Sequence, residues 1–184
     1  MENKKSTRGI FAACLLFSLF AFSACGSPVN QLKNVDWTHV VSANELGCND
    51  PDHGPHLGVE VDAKQFADIT GDNNEEAFVA VSCVPSTSSW PDRLEVYDGA
   101  SNVAHPRRIA VLLDYKASPD GTNDGIGILI REISVSSKTV TVVSAGLRAS
   151  DPNCCPGAKV TDKFTWDGSR FAHDSRSVVP FQWK

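Results

Sequence analysis

The stretch at residues 126–147, IGILIREISVSSKTVTVVSAGL, contains two runs in which apolar and polar residues alternate on either side of a pair of serines. Alternation with a period of two places successive side chains on opposite faces of a β-strand. The stretch therefore predicts an antiparallel hairpin. Its shared apolar face is expected to carry Ile133, Val135, Val140 and Val142.

The same pattern continues on both sides of this hairpin. Strands are predicted at 37–41, 57–63, 77–84, 93–97, 108–113, 126–135, 138–147, 159–166 and 170–173. Turn dipeptides separate several of them, namely Asp98-Gly99, Asp120-Gly121, Asp124-Gly125 and Asp167-Gly168. A helical turn is expected only at 42–46. The fold class predicted is mainly β, as a single antiparallel sheet or a small sandwich or barrel-like domain with short helical turns, stapled by disulfides.

The N-terminus has the layout of a signal peptide. Lys4, Lys5 and Arg8 precede a nearly unbroken apolar run at 10–22. A membrane-spanning helix needs about 20 consecutive apolar residues, and this run is shorter. We therefore expect residues 1–24 to be removed during export.

The end of that run, Phe22-Ser-Ala-Cys25, resembles the lipobox of bacterial lipoproteins, with Phe22 in place of the usual leucine. The resemblance implies a diacylated Cys25, bearing acyl chains such as palmitate, that holds the protein at the extracytoplasmic face of the cell membrane. Two acyl chains suffice for stable anchoring. The alternative is a plain secretory signal. Residues 25–36 are expected to form the lipidated tether and 37–184 a β-rich extracytoplasmic domain.

The charge of the chain limits its partners. Residues 1–24 hold three of the 17 basic and one of the 22 acidic residues, so the remainder has a formal charge of −7. Binding to nucleic acid or to anionic lipid headgroups requires a basic surface. This composition argues against both kinds of partner.

Four cysteines besides Cys25 lie in the expected domain: Cys48, Cys83, Cys154 and Cys155. In an oxidising compartment they predict two disulfides. Because adjacent cysteines rarely bond to each other, Cys154 and Cys155 are expected to reach separately to Cys48 and Cys83. The alternatives are a redox-active disulfide between the two neighbours and a metal thiolate site.

A candidate calcium site lies between two predicted strands. Oxygen-bearing side chains surround a glycine there, at Asp68, Thr70, Asp72, Asn74 and Glu76. Calcium binds six to eight oxygen ligands. The alternative is a tight hairpin turn in which Asp68 and Asp72 accept backbone N–H groups. No other cofactor is predicted.

Further candidate residues carry weaker signals. The loop at 48–56 contains Cys48, His53 and His56, which are ligand types for zinc or copper, but the spacing fits no standard site and predicts a solvated loop. His39, His105 and His173 are isolated in sequence. Trp90 and Trp183 are the tryptophans expected to be exposed, and Trp90 is a candidate for a binding surface.

No standard catalytic motif occurs, so no catalytic residue is predicted. The sequence favours a non-enzymatic binding or structural module of the cell envelope, with an envelope protein or a glycan as its partner. The alternatives are an extracellular hydrolase with a Ser-His-Asp set, a thiol-redox protein using Cys154 and Cys155, and a calcium-binding surface module.

Four short motifs resemble small secreted lipoproteins of actinobacteria without an assigned activity. The motifs are Asp68-x-Thr-Gly-Asp72, Val81-Ser-Cys83, Asn153-Cys-Cys-Pro156 and Phe164-Thr-Trp-Asp-Gly-Ser-Arg-Phe171. The closing Trp-Asp-Gly hairpin is also similar to the LppP/LprE lipoproteins. The resemblance covers residues 37–173. It implies an envelope location and supplies no catalytic residue.

Overall fold

A computed structural model describes residues 31–48, 58–84, 91–114, 125–152 and 154–183. It begins with a turn of 3-10 helix (Gln31–Asn34) and two short helices, α1 (Trp37–Val40) and α2 (Ala43–Leu46). The strands that follow are β1 (Val59–Ala67), β2 (Glu76–Cys83), β3 (Arg93–Tyr97), β4 (Arg108–Leu113), β5 (Ile126–Ser136), β6 (Thr139–Arg148), β7 (Ala158–Trp166) and β8 (Phe171–Pro180). Within these ranges no helix has the length and apolar character needed to cross a membrane.

The strands form two antiparallel four-stranded sheets, each in simple sequence order. Sheet I is β1-β2-β3-β4 and sheet II is β5-β6-β7-β8. The mainly β fold class is therefore confirmed. The hairpin predicted at 126–147 is also confirmed, since Ile133 pairs with Val142 and Val135 pairs with Val140.

The two sheets share one apolar core. Sheet I contributes Phe78, Ala80, Leu94, Val96 and Leu113, and sheet II contributes Ile128, Ile130, Val140, Val142, Val160, Phe164 and Trp166. Burying such side chains contributes about 1.5–3 kcal/mol each. This layer is what joins the two halves of the chain.

The opposite face of sheet I is covered by the N-terminal helical segment, residues 31–48. Leu32, Trp37, Val41 and Leu46 of that segment pack on a second apolar cluster formed by Ala77, Val79, Val81 and Tyr97. Sheet I is thus the middle of three layers, and every residue of β2 is buried.

The strand predicted at 37–41 is wrong, because Trp37–Val40 is helical. Asp36 accounts for the difference, since its side chain accepts the backbone N–H of Thr38 and caps the first turn. Part of the segment predicted as a tether belongs to the folded domain. Leu32, assigned from sequence to the tether, is 1% exposed in the second cluster.

A buried polar network joins the helical segment to sheet I. The carboxylate of Glu95 lies 3.1 Å from Nε of Arg93 and 3.0 Å from Nη1 of Arg108, and it accepts the hydroxyl of Tyr97 at 2.5 Å. Arg108 also contacts Glu45 of α2 at 2.7 Å. Burial, together with the hydrogen bond to Glu95, raises the pKa of Tyr97, so its hydroxyl stays a donor.

The disulfides differ from the predicted pairing. Cys48 is bonded to Cys83, and Cys154 is bonded to its neighbour Cys155. The predicted cross-pairing is wrong because the helical segment places Cys48 directly beside the end of β2, with Cα atoms 5.3 Å apart. The Cys48–Cys83 bond staples the outer layer to the middle one.

Asp92 connects the two sheets just before β3. Its backbone N–H donates to the carbonyl of Ile128 at 2.8 Å, and its side chain accepts the N–H of Ile130. Burial, followed by the negative charge of Asp62, raises the pKa of Asp92 to about 8, although the Ile130 N–H and Arg131 oppose the shift. The carboxyl group of Asp92 is therefore neutral at pH 7.

The raised pKa of Asp92 predicts a pH dependence of stability. The folded protein keeps a proton that an unfolded chain releases above the ordinary pKa of 3.8. Stability from this group is complete below pH 4 and is lost as the pH rises through 8, by up to about 1.4 kcal/mol per pH unit. Urea unfolding across this range should show the wild type losing stability relative to Asp92→Asn.

The matched control for this measurement is Glu132→Gln, which removes an exposed carboxyl group on β5. It should follow the wild type at every pH. A constant difference in stability between the wild type and Asp92→Asn would show that Asp92 is ionised in the folded protein.

Candidate functional site

The residues predicted to bind calcium lie in the loop between β1 and β2. Asp68 accepts the backbone N–H groups of Gly71 at 2.7 Å and Asn73 at 3.0 Å. Asp72 accepts that of Asn74 at 2.8 Å. These bonds are those of the hairpin-turn alternative, in which the acidic side chains hold the loop's backbone.

Glu76 is buried at the start of β2 and also serves this loop. Its carboxylate accepts the backbone N–H groups of Ile69 at 2.9 Å and Thr70 at 3.3 Å, and the Thr70 hydroxyl at 3.2 Å. The pKa of Glu76 is raised above its ordinary value, because the effect of burial outweighs these hydrogen bonds, which act to lower it. The hydroxyl of Thr70 is the donor in its hydrogen bond with Glu76.

Three carboxyl groups converge beside this loop. One oxygen from each of Asp72, Glu76 and Asp98 lies within 4.8 Å of the other two. Asp98 comes from the β3–β4 turn, which approaches so closely that a Cβ on Gly99 would lie 2.5 Å from the carbonyl of Glu75. Nη2 of Arg107 contacts Asp98 at 2.7 Å and supplies one positive charge.

These carboxyl groups have the oxygen chemistry of a calcium site, but contacts within the protein already use many of their oxygens. Asp68 and Glu76 use their oxygens on neighbouring N–H and hydroxyl groups. Asp98 is paired with Arg107. Calcium binding is not tested by these contacts and stays a prediction.

The loop at 48–56, predicted to be a solvated loop rather than a zinc or copper site, loses one of its metal-ligand types. Cys48 is bonded to Cys83, so its sulfur is not available as a thiolate. The rest of that loop falls within residues 49–57, which lie outside the described chain. His39 is exposed and contacts Asp36 at 2.9 Å, and His105 is exposed in the β3–β4 loop.

Among the histidines that the structure describes, His173 has a buried acidic partner. Its Nε2 lies 3.1 Å from Asp162, a fully buried residue of β7, and its ring packs on Phe164. Arg176 contacts the same carboxylate at 3.5 Å. Asp162 and His173 thus form an Asp–His pair that the sequence alone could not bring together.

The strand register places the nearest buried serine of sheet II away from this pair. His173 lies opposite Phe164, which lies opposite Val140, whereas Ser144 is four residues further along β6. Four strand residues span about 13 Å. Within the described chain, His173 hydrogen-bonds to Asp162 and to no hydroxyl or thiol.

An apolar surface lies at the C-terminal end of β8. Val178, Val179 and Phe181 are 37%, 45% and 43% exposed, and the rings of Phe181 and Trp183 pack edge to face at 4.8 Å. Trp183 is fixed by its indole N–H, which donates to the carbonyl of Ala158 at 2.8 Å. Val178 lies opposite Val160 of the core and Val179 lies opposite Lys159, so these two side chains are on different faces of β8. We call Val179, Phe181 and Trp183 the C-terminal surface.

The turn carrying Cys154 and Cys155 adjoins this surface. Phe181 donates its backbone N–H to the carbonyl of Gly157 at 3.0 Å, which joins the turn to the chain after β8. Both cysteines are exposed. The turn with the two cysteines and the C-terminal surface thus lie at the same end of sheet II.

Two parts of these sites were missed from the sequence. Asp98 was recognised only as part of the Asp98-Gly99 turn, and Phe181 was not singled out as a candidate. The Asp98-Gly99 dipeptide and the position of Phe181 directly after Pro180 were the available signals. Trp183 is partly exposed, in line with its prediction, and Trp90 lies outside the described residues.

Comparison with known proteins gives no relative. The chain matches no protein-family model, no curated protein and no solved structure.

The contacts of Asp68 predict a structural role. Asp68→Ala removes both acceptors for Gly71 and Asn73, and should lower the free energy of unfolding by about 1–2 kcal/mol in the presence of a calcium chelator. Urea denaturation measures this change. Asp174→Ala, which removes a surface carboxylate that accepts the Thr165 hydroxyl, is the control and should change stability less.

Calcium added to the wild type in the same assay tests the metal. A rise in stability at millimolar calcium that Asp98→Asn abolishes would establish the site and contradict a purely structural role for the loop.

Proposed function

We propose that this chain is a lipid-anchored protein of the extracytoplasmic face of the cell membrane, and that it acts as a non-enzymatic binding module. In this proposal Cys25 carries the anchor and the C-terminal surface binds a protein of the cell envelope. The observation that carries the binding role is the exposure of Val179 and Phe181, with the Trp183 ring packed on Phe181, at one end of an edge strand.

The location is supported by features that act at different parts of the chain. The charged and apolar segments before Cys25 have the order of an export signal. The buried Cys48–Cys83 disulfide fits an oxidising compartment. The four sequence motifs, by their resemblance to small actinobacterial lipoproteins, imply the same location.

The choice of a protein partner follows from the chemistry of the C-terminal surface. Its exposed side chains are aliphatic and aromatic, and the indole N–H of Trp183 is already used by Ala158. Aromatic anchors of this kind dominate the binding energy of protein interfaces. Exposed apolar groups gathered in one place are typical of interaction sites.

The anchor predicts the mass of the natively produced protein. We expect residues 1–24 to be absent and a diacyl adduct to be present on Cys25, because the lipobox directs both steps. Intact-mass analysis of the membrane fraction measures both, and Cys25→Ser should release the protein from that fraction. Retention of Met1 together with a cytosolic location would refute the proposed anchor.

The binding surface predicts a partner that depends on two aromatic rings. A photo-crosslinking residue at the exposed Gln182, between Phe181 and Trp183, should form an adduct with an envelope protein in intact cells. With that protein purified, Phe181→Ala/Trp183→Ala should weaken the Kd by about 30-fold, which corresponds to about 2 kcal/mol. Isothermal titration calorimetry measures the affinity.

The control variant is Val103→Ala/Val111→Ala, which truncates two exposed valines outside the C-terminal surface. It should bind as the wild type does. An adduct with a glycan or with a second copy of the chain, or equal affinities for both double variants, would contradict the proposed protein partner.

A further inference from the structure

The two disulfides of this protein differ in their access to solvent. Cys48 and Cys83 are both 0% exposed in the cluster between the helical segment and sheet I. Cys154 and Cys155 are both exposed at the surface of sheet II. Thiol–disulfide exchange requires a thiolate to reach a sulfur atom. We therefore expect an external thiol to attack the exposed Cys154–Cys155 pair before the buried one in the folded protein.

The two bonds also differ in what they hold. A disulfide stabilises a fold by closing a loop, and its contribution grows with loop length. Cys48 and Cys83 are 35 residues apart and join two layers, whereas Cys154 and Cys155 are consecutive. The second bond therefore cross-links nothing beyond its own turn.

Other contacts keep that turn in place. The carboxylate of Asp151 accepts the N–H groups of Arg148 at 2.9 Å and Gly157 at 3.0 Å, and these bonds lower its pKa. The Arg148 side chain donates to the carbonyl of Gly157 at 3.1 Å. The Cys155 N–H donates to the carbonyl of Pro152 at 2.8 Å. The fold is thus expected to survive opening of the disulfide.

We propose that Cys154–Cys155 is a thiol–disulfide exchange site whose substrate is the dithiol of an extracytoplasmic protein. A thiolate of the substrate attacks one sulfur, the Cys154–Cys155 bond breaks, and the other cysteine leaves as a thiolate that takes up a proton. The second substrate thiol then attacks the mixed disulfide. Two electrons and two protons pass to this chain, and the substrate gains a disulfide.

The neighbouring C-terminal surface favours a protein as the source of the dithiol. Phe181 is tied by its backbone to Gly157, two residues after Cys155, so exposed aromatic and aliphatic groups border the reactive turn. The exchange chemistry itself goes beyond the proposed binding role and requires neither the lipid nor the aromatic rings.

The test exposes the oxidised full-length protein to reduced thioredoxin, used as a model protein dithiol, and in parallel to dithiothreitol. Free thiols are alkylated and located by peptide mass spectrometry. We expect one thioredoxin to be oxidised per chain, with Cys154 and Cys155 labelled at least about tenfold faster than Cys48 and Cys83, because the latter pair is buried.

Each other outcome overturns a defined part of the proposal. Reduction by dithiothreitol but not by thioredoxin would exclude a protein dithiol as the substrate. Labelling of Cys154 and Cys155 only in denaturant would exclude the exchange site altogether. Neither outcome bears on partner binding, which the aromatic double variant tests separately.

Paired variants separate a redox role from a structural one. Cys154→Ser/Cys155→Ser should retain the wild-type melting temperature, whereas Cys48→Ser/Cys83→Ser should lose several degrees because it opens the 35-residue link. A large loss of melting temperature in Cys154→Ser/Cys155→Ser would show that the bond is structural and would refute the proposal.

Discussion

The burial of β2 on both faces is the constraint from which the rest of the architecture follows. One face, with Phe78 and Ala80, needs sheet II, and the other, with Val79 and Val81, needs the helical segment. Without either outer layer, sheet I would expose a continuous apolar face to water. The Cys48–Cys83 bond and the Glu95 network both act at this second interface, where short helices alone provide little packing area.

Much of the fold could be predicted because alternation reports directly which side chains share a face. The strands at 93–97 and 108–113 have the predicted bounds. The prediction failed where capping and burial, rather than the alternation of apolar and polar residues, determine the secondary structure. Around Trp37 an aromatic and β-branched run resembles a strand, yet capping by Asp36 and burial of the indole produce a helix. β8 was predicted too short because its later residues are mostly exposed on both faces and give no alternating signal.

The candidate sites were harder to predict because they join residues that are distant in sequence. Asp72 and Glu76 were recognised from their spacing, but Asp98 reaches them only because adjacent hairpin loops meet at one end of sheet I. Likewise, the rarity of bonds between adjacent cysteines favoured a cross-pairing. The position of Cys48 beside β2 decided otherwise, and it follows from the packing of the helical segment, which no local pattern reveals.

Each sheet is built from one uninterrupted half of the chain, and this has a consequence for the order of assembly. Sheet I, its helical cover and both cysteines of the buried bond precede residue 115, and sheet II needs only what comes later. Domains generally form from the N-terminal side first as the chain emerges. We therefore expect the first meander to pair its strands and to form the Cys48–Cys83 bond before the second meander has assembled. The later half then docks on a template that already exists.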